Sequence, residues 1–400
     1  MSGPSDLAVQ EPTALAEADP EVLAGIFAEA GFRPAHARTV LRHLYFRKEG
    51  DPALAARVGR GVLDLLASRL PWFRSTIRRR VASADGTVKL GIGYPDGAVA
   101  EAVLMPMDRR LSACLSSQVG CAMACRFCAS GVGGLERDLT SGEIVEQYLH
   151  LTAEARAFLA GPEREILARN LATQRPARRP RKTTNPKGAT QPPVKNIVFM
   201  GMGEPLHNYG NVVAAIRRLI HPHAGRFAPD HITVSTVGVV PRIHDLIRDA
   251  VPVHLAVSLH APDDATRERL IPANRRWGVA EIVKAMAAFL EKTGRHVTVE
   301  YTLLADVNDA PGQAEELAAL LAGRKFHVNL IPWNAVPGLP FAAPAPERVR
   351  GFLKTLMNRG VIAHVRIQRG GDVAGACGQL RRAGDSPRSH EDTKIHEGSC

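Results

Sequence analysis

The chain has 400 residues, 45% of them hydrophobic, and 51 lysines and arginines against 40 acidic residues give it a formal net charge of +11. Its length allows one large domain and a small one. Six cysteines are too few for a secreted disulfide framework, no signal peptide begins the sequence, and no apolar run reaches membrane-spanning length. We therefore expect a soluble cytoplasmic protein without membrane contact, whose charge favours a polyanionic partner.

The first part of the chain divides into a tail and a helical segment. Residues 1–20 are polar and acidic, and we expect them to be disordered. Apolar residues recur at helical spacing from residue 21 to about 80, which predicts a small all-helical accessory domain over 21–85. An RNA-binding module and a solvated helical face both agree with the arginines in or just after it: Arg38, Arg42, Arg47, Arg57, Arg60, Arg78, Arg79 and Arg80.

From Thr87 onward, short apolar runs alternate with amphipathic helical segments. Six strand-helix pairs extend from the strand predicted at 111–117 to the helix predicted at 347–358, and a last strand is predicted at 362–367. Such alternation implies a parallel sheet with helical crossovers. We predict an α/β fold in which residues 86–382 form an incomplete (β/α)6 barrel, with its active site at the carboxyl ends of the strands.

The first predicted barrel strand leads into a loop that contains Cys121, Cys125 and Cys128 within eight residues. This loop supplies three thiolates, whereas a structural zinc site or an ordinary four-iron cluster takes four ligands. No second Cys-x-x-Cys and no His-x-x-x-His occurs in the sequence, which disfavours a zinc knuckle. A [4Fe-4S] cluster with one open iron is favoured. The open iron could chelate S-adenosylmethionine and cleave it to a radical, so the loop resembles that of radical-SAM enzymes.

Polar residues follow four further predicted strands. A glycine-rich turn at 201–206 allows close backbone approach, and its Glu204 offers a carboxylate to a ligand ammonium. Each of these strand ends alone would fit an ordinary hydrogen-bonded turn. Because carboxyl ends of parallel strands share one edge, we expect a common S-adenosylmethionine pocket formed by Gly203, Glu204, Ser235, Ser258, Leu259, His260 and Asn334.

Two segments do not fit the barrel pattern. Residues 164–194 are rich in arginine, lysine, proline, threonine and glycine, and they predict a disordered basic insertion. Its role is either a solvated loop or an electrostatic attachment to nucleic-acid phosphates. Residues 383–400 form a polar C-terminal tail, in which Cys400 has no motif around it.

Five ordered motifs, at residues 114–121, 201–206, 257–262, 329–334 and 375–380, make the chain similar to the RlmN/Cfr family of radical-SAM adenosine methyltransferases. The similarity covers about residues 21–382. It implies methylation of an adenine ring carbon in 23S rRNA and, for the RlmN branch, in the anticodon loop region of some tRNAs. Pro205 and Trp333 match the RlmN branch, which methylates carbon 2.

Two alternatives remain open. The first is a Cfr-type carbon-8 methyltransferase, which confers resistance to ribosome-directed antibiotics. The second belongs to another class and is a non-catalytic iron-sulfur or zinc RNA-binding protein. The resemblance further implies an electron donor such as flavodoxin or ferredoxin, and we expect a monomer.

The resemblance also implies three catalytic roles and two molecules of S-adenosylmethionine per turnover. Cys377 would carry the methyl group as S-methylcysteine, Cys114 would resolve a protein-RNA adduct through a transient disulfide with Cys377, and Glu101 would remove the ring proton. On the residues alone, Cys114 equally suits a packed core position. Glu101 equally suits a solvent-facing strand end.

Overall fold

The structure is a computed structural model that describes residues 12–46, 52–107, 110–167 and 192–381. Most of the predicted basic insertion, the C-terminal tail and residues 1–11 lie outside the described residues. The disorder expected up to residue 20 is wrong for residues 12–20. A 3-10 helix occupies Leu15–Glu17, and Leu15 is fully buried, because these apolar side chains pack against the core rather than face water.

Four helices follow: α1 (Pro20–Glu29), α2 (His36–Phe46), α3 (Pro52–Val58) and α4 (Arg60–Arg69). Their apolar faces are buried in the main core, as the helical spacing predicts. The predicted all-helical segment extends too far, however, because residues after α4 form strand β1 (Thr76–Ala82). The arginine run at 78–80 lies in this exposed edge strand and not on a helix.

One ten-stranded sheet contains most of the strands. The antiparallel β1 pairs with β2 (Val88–Gly93), which pairs with β3 (Val99–Met107), which pairs with β4 (Arg110–Cys114). From β4 onward all pairings are parallel, in the order β7 (Val194–Phe199), β8 (Ile232–Thr236), β9 (His254–Ser258), β10 (Val297–Leu303), β11 (His327–Pro332) and β12 (Ile362–Val365). A small second sheet pairs β5 (Gln118–Gly120) with β6 (Leu135–Asp138).

Helices connect the parallel strands: α5 (Ser141–Ala160), α6 (Tyr209–Ile220), α7 (Val240–Arg248), α8 (Asp264–Leu270), α9 (Val279–Thr293), α10 (Pro311–Leu321) and α11 (Pro346–Asn358). The predicted mixed α/β class is confirmed, and the parallel sheet is consistent with a partial barrel. The antiparallel pairing on its first edge was not predicted, although a strand at Glu101 was. Among the described residues, no helix is long and apolar enough to cross a membrane.

A buried carboxylate on α5 connects the N-terminal helices to the sheet. The Glu146 side chain accepts hydrogen bonds from the Arg74 backbone N–H at 2.9 Å and from the Ser75 backbone N–H at 2.8 Å, and it also contacts the Ser75 hydroxyl. Glu146 is 1% exposed, and burial raises the pKa of its carboxyl above the usual value. Glu146 therefore provides the acceptors for the Arg74 and Ser75 N–H groups at the end of the linker between α4 and β1.

Replacing Glu146 with alanine should lower the free energy of unfolding by about 2–4 kcal/mol, because at least two buried donors lose their acceptor. Urea unfolding of the purified protein measures this. The matched control is Glu154→Ala on the same helix, whose ion pair with the half-exposed Arg80 is at the surface. Glu154→Ala should change the free energy of unfolding by less than about 1 kcal/mol. Equal losses in the two variants would contradict the linking role of Glu146.

Candidate active site

The predicted cysteine loop lies between β5 and β6, and its backbone folds tightly. The Cys128 N–H donates to the Cys125 carbonyl at 3.1 Å, the Cys121 N–H donates to the Gly134 carbonyl at 3.0 Å, and Ala124 has a left-handed φ of 51°. Burial raises the pKa of the Cys121 thiol to about 12 and also raises the pKa of the other two thiols. Negative charge on Cys121 and Cys128 contributes to the shift at Cys125, so the three thiols lie within one another's field.

This donor set fits an iron-sulfur cluster better than a single ion. A single tetrahedral ion takes four protein ligands, whereas a [4Fe-4S] cluster with one open iron takes three thiolates, one on each of three irons. Because these thiols are protonated at neutral pH in the absence of metal, binding of iron would release their protons.

The glycine loop after β7 packs directly on the residues that precede the cysteine loop. Gly203 has a φ of +99°, and a Cβ on it would lie 2.6 Å from the Gln118 Cβ. The Glu204 carboxylate accepts hydrogen bonds from the Leu206 N–H at 3.0 Å and the Val237 N–H at 2.8 Å. Glu204 thus connects the ends of β7 and β8, a role that we did not predict from the sequence. Burial raises the pKa of its carboxyl to about 7.

His260, at the end of β9, is a buried neutral residue. Its Nδ1 accepts the Thr302 N–H at 2.8 Å, and its ring contacts the Phe127 ring edge-on at a centroid distance of 4.8 Å. Burial, with a smaller contribution from Arg267, lowers the pKa of His260 to about 3. Because Phe127 belongs to the cysteine loop, this contact places the β9 end beside the predicted cluster.

A buried arginine that we did not predict as a site residue supports the same strand end. The guanidinium of Arg267, on α8, is 1% exposed and donates to the Leu259 carbonyl at 2.9 Å, to the Ser258 carbonyl at 3.0 Å and to the Val237 carbonyl. Ser258 and Leu259 are therefore fixed through their backbones. Ser235 lies one residue before the end of β8 and is half-buried.

Two predicted cysteines line one cavity. Cys114 ends β4 and Cys377 lies in the C-terminal loop, and the cavity wall between them includes Arg366 and Asn334. Burial, followed by negative charge on Cys377, raises the pKa of Cys114 to about 12. The neighbouring Cys377 and Glu300 charges raise the pKa of Arg366 further above its usual range, so this guanidinium is a cation next to both thiols. Cys114 is thus a cavity residue as well as a core residue. Arg366 was not predicted.

The segment at 374–381, which we call the carrier loop, is bound to the cysteine loop and to the end of β11. The Ala129 N–H donates to the Gly378 carbonyl at 2.7 Å, and the Asn334 Nδ2 donates to the Cys377 carbonyl at 2.9 Å. The Asn334 Oδ1 is buried without a hydrogen-bond partner in the described part of the chain. Asn334 therefore positions Cys377 and retains a free acceptor for a ligand donor.

Glu101 is buried in β3 and does not face solvent. Its Oε1 lies 2.8 Å from the Lys89 Nζ, and its Oε2 accepts the Arg381 N–H at 3.0 Å. Strand alternation places Glu101 on the same face of the sheet as Met105, which lines the cavity with the two cysteines. The structure therefore brings Glu101, Cys114 and Cys377 to one side of the sheet.

A cysteine loop at the carboxyl edge of a partial parallel barrel, beside a glycine loop, defines a radical-SAM protein. Residues 187–318 match the family model described as Radical SAM superfamily, which implies an iron-sulfur cluster and S-adenosylmethionine. The "Probable dual-specificity RNA methyltransferase RlmN" of Thermobifida fusca is 40% identical over 376 residues, which cover 93% of this chain and 96% of the relative.

Two further relatives agree. The "Dual-specificity RNA methyltransferase RlmN" of Anaeromyxobacter sp. strain Fw109-5 is 40% identical over 96% of this chain and 95% of its own length. The crystal structure of a radical SAM methyltransferase from Sphaerobacter thermophilus has a TM-score of 0.81 and 39% identity, and the match covers 92% of this chain and 99% of that one. The chain belongs to the RlmN family of radical-SAM RNA methyltransferases, as the motifs predicted.

Gly203→Ala should distort the glycine loop, because a side chain there requires a strained φ and collides with Gln118. We expect a loss of about 1–3 kcal/mol in the free energy of unfolding together with weaker S-adenosylmethionine binding by calorimetry. Gly210→Ala is the matched control, since Gly210 lies in α6 with open space at its Cβ position. A variant at 203 that behaves like the variant at 210 would contradict this account of the loop.

Proposed function

We propose that the chain methylates carbon 2 of a specific adenosine in 23S rRNA and of adenosine in the anticodon loop region of some tRNAs. The observation that carries this proposal is the cavity lined by both Cys114 and Cys377. Cys377 lies on the carrier loop, which is hydrogen-bonded to the cysteine loop. A non-catalytic RNA-binding protein has no need of two thiols facing one cavity. The name RlmN of the relatives favours carbon 2 over the carbon-8 alternative.

The proposed architecture is an incomplete (β/α)6 radical-SAM barrel with Cys121, Cys125 and Cys128 as ligands of a [4Fe-4S] cluster. When bound, the cluster would supply the electron that cleaves S-adenosylmethionine to a 5'-deoxyadenosyl radical, and it would take one electron back after the adduct forms. The strand-end residues support the pocket for S-adenosylmethionine: Gly203, Glu204, Ser235, Ser258, Leu259, His260 and Asn334.

Cys377 carries the methyl group because carbon 2 of adenine is electrophilic and cannot attack a methyl sulfonium. Its thiolate displaces the methyl group of one S-adenosylmethionine, so that a carbon-sulfur bond forms on Cys377 and S-adenosylhomocysteine leaves. The Arg366 guanidinium lines the same cavity as Cys377. A radical generated from a second S-adenosylmethionine would take a hydrogen atom from the S-methyl group on Cys377, whose carbon would then bond to carbon 2 of the RNA base.

Glu101 and Cys114 resolve this covalent adduct. The Glu101 carboxylate takes the proton from carbon 2, and the electron pair of that bond stays in the ring. The Cys114 thiol then loses its proton as its sulfur attacks the Cys377 sulfur, and the bond between the Cys377 sulfur and the methylene carbon breaks. That carbon keeps the bonding pair and gains a proton to become the methyl group. The Cys114–Cys377 disulfide left behind is reduced by an external thiol before the next turnover.

RNA attachment at the N-terminal part is supported by its exposed cationic surface. Arginines on α2, α3, α4 and β1 face solvent, namely Arg38, Arg42, Arg57, Arg60, Arg78, Arg79 and Arg80. Guanidinium groups in such numbers suit the phosphates of RNA. We propose that helices α1–α4 and strand β1 contact the RNA, and that a small electron-transfer protein such as flavodoxin or ferredoxin reduces the cluster.

Alanine at any one of Cys121, Cys125 or Cys128 should abolish cluster binding, because one iron loses its ligand. Anaerobically purified variants should contain less than about a tenth of the wild-type iron and should not cleave S-adenosylmethionine under dithionite. Cys114→Ala is the control of identical chemistry outside the loop and should keep its iron. Wild-type iron content and cleavage in a loop variant would refute the assignment.

The two cavity cysteines should give opposite results. Cys377→Ala removes the methyl carrier, so neither methylated RNA nor any protein-RNA adduct should form. Cys114→Ala keeps the carrier and removes the resolving thiol, so RNA-linked protein should accumulate on denaturing gels. Mass spectrometry of digested RNA identifies the product, and methylation at carbon 8 would correct the proposed position. Normal turnover by Cys114→Ala without an RNA-linked band would refute the two-thiol mechanism.

A further inference from the structure

A buried lysine on β2 contacts the machinery described above without belonging to the motifs of the sequence. The Lys89 Nζ lies 2.8 Å from the Glu101 Oε1, and the two side chains are only 7% and 11% exposed. In the β2–β3 pairing Glu101 is opposite Gly91, and Lys89 is opposite Val103. Because Gly91 has no side chain, Lys89 can reach diagonally along the sheet to Glu101.

The same pair also contacts both ends of the carrier loop. The Lys89 Nζ donates to the Ala374 carbonyl at 3.1 Å, and the Arg381 N–H donates to the Glu101 Oε2 at 3.0 Å. Cys377 lies between these two contacts. One ion pair therefore fixes, at the same time, the carboxylate proposed as the base and the segment that presents the methyl-carrying sulfur.

We propose that Lys89 is a positioning residue for the resolution of the adduct. It holds the Glu101 carboxylate in register with the carrier loop, so that the carboxylate faces the ring carbon bound through Cys377. This inference rests on the proposed function. Charge-assisted hydrogen bonds have the short, directed geometry that such positioning needs. A buried ion pair is weak evidence for stability alone, since apolar residues of similar volume often stabilise a fold equally well.

The proposal predicts that Lys89 acts through Glu101 and not through cluster binding or the first methyl transfer. In Lys89→Met, S-methylcysteine at 377 should form to the wild-type extent, as measured by mass spectrometry of the purified protein. The RNA-linked adduct should form and then disappear about 10–100-fold more slowly than in the wild type, because a displaced catalytic group loses rate on this scale. Lys292→Met, at an exposed position on α9, is the matched control and should behave as wild type.

A double-mutant cycle separates positioning from general support of the fold. Glu101→Gln should slow adduct resolution, and adding Lys89→Met to it should cause no further loss, since the lysine has no carboxylate left to position. Additive losses, or a normal rate in Lys89→Met, would overturn the proposal. Loss of S-methylation at Cys377 in Lys89→Met would also overturn the proposal, because that result would show that Lys89 only supports the carrier loop.

Two further measurements keep the result interpretable. Urea unfolding and iron content show whether Lys89→Met folds. If it does not fold, Lys89→Gln replaces it, because the amide keeps a hydrogen-bond donor without the charge. The same rate criteria then apply to Lys89→Gln. A wild-type protein that forms neither S-methylcysteine nor methylated RNA would refute the proposed function itself. A wild-type protein that forms both, with Lys89 variants that resolve the adduct normally, refutes only the role of Lys89.

Discussion

The site depends on the hydrogen bonds that join the cysteine loop to the carrier loop. The Ala129 N–H donates to the Gly378 carbonyl at 2.7 Å, and the Ser130 hydroxyl donates to the Leu380 carbonyl at 2.6 Å. The indole N–H of Trp333 adds a bond to the Phe127 carbonyl at 2.9 Å. Segments some 250 residues apart in sequence are thereby adjacent at one edge of the sheet. The radical chemistry that we propose at the first segment requires this adjacency to reach the methyl group that we propose on the second.

Burial and charge compensation set the chemistry of the thiols. Burial opposes ionisation at Cys114 and at the three cysteines of the loop, and two buried guanidinium groups oppose that effect. Arg366 acts at Cys114, and Arg267 acts at Cys125 while it fixes the ends of β8 and β9. Arg267 thus combines a structural and an electrostatic role, which accounts for so costly a group in the interior.

The sequence predicted the strand-helix alternation, the cysteine loop and the strand-end residues, because periodicity and motif spacing are local properties. It predicted a strand at Glu101 but not the antiparallel pairing of β1–β4, because pairing is a long-range property. It also extended the predicted helical segment over β1. It predicted Glu204 as a ligand group, and it did not predict that each carboxylate oxygen also accepts a backbone N–H. Arg267, Arg366 and Lys89 were missed for one physical reason. A single charged residue becomes informative only when its buried partner is known.

The antiparallel strands have a chemical consequence that a parallel barrel alone does not offer. Parallel strands present their residues at the carboxyl edge, where the predicted cofactor pocket lies. Glu101 instead lies within β3, outside the parallel part of the sheet, and reaches the carrier loop from the side. Lys89 comes from the adjacent strand β2. The first edge of the sheet therefore holds Glu101 and Lys89, the base and the partner that we propose, on strands separate from the cysteine loop. The proposed proton removal and radical formation would then use different elements of the fold.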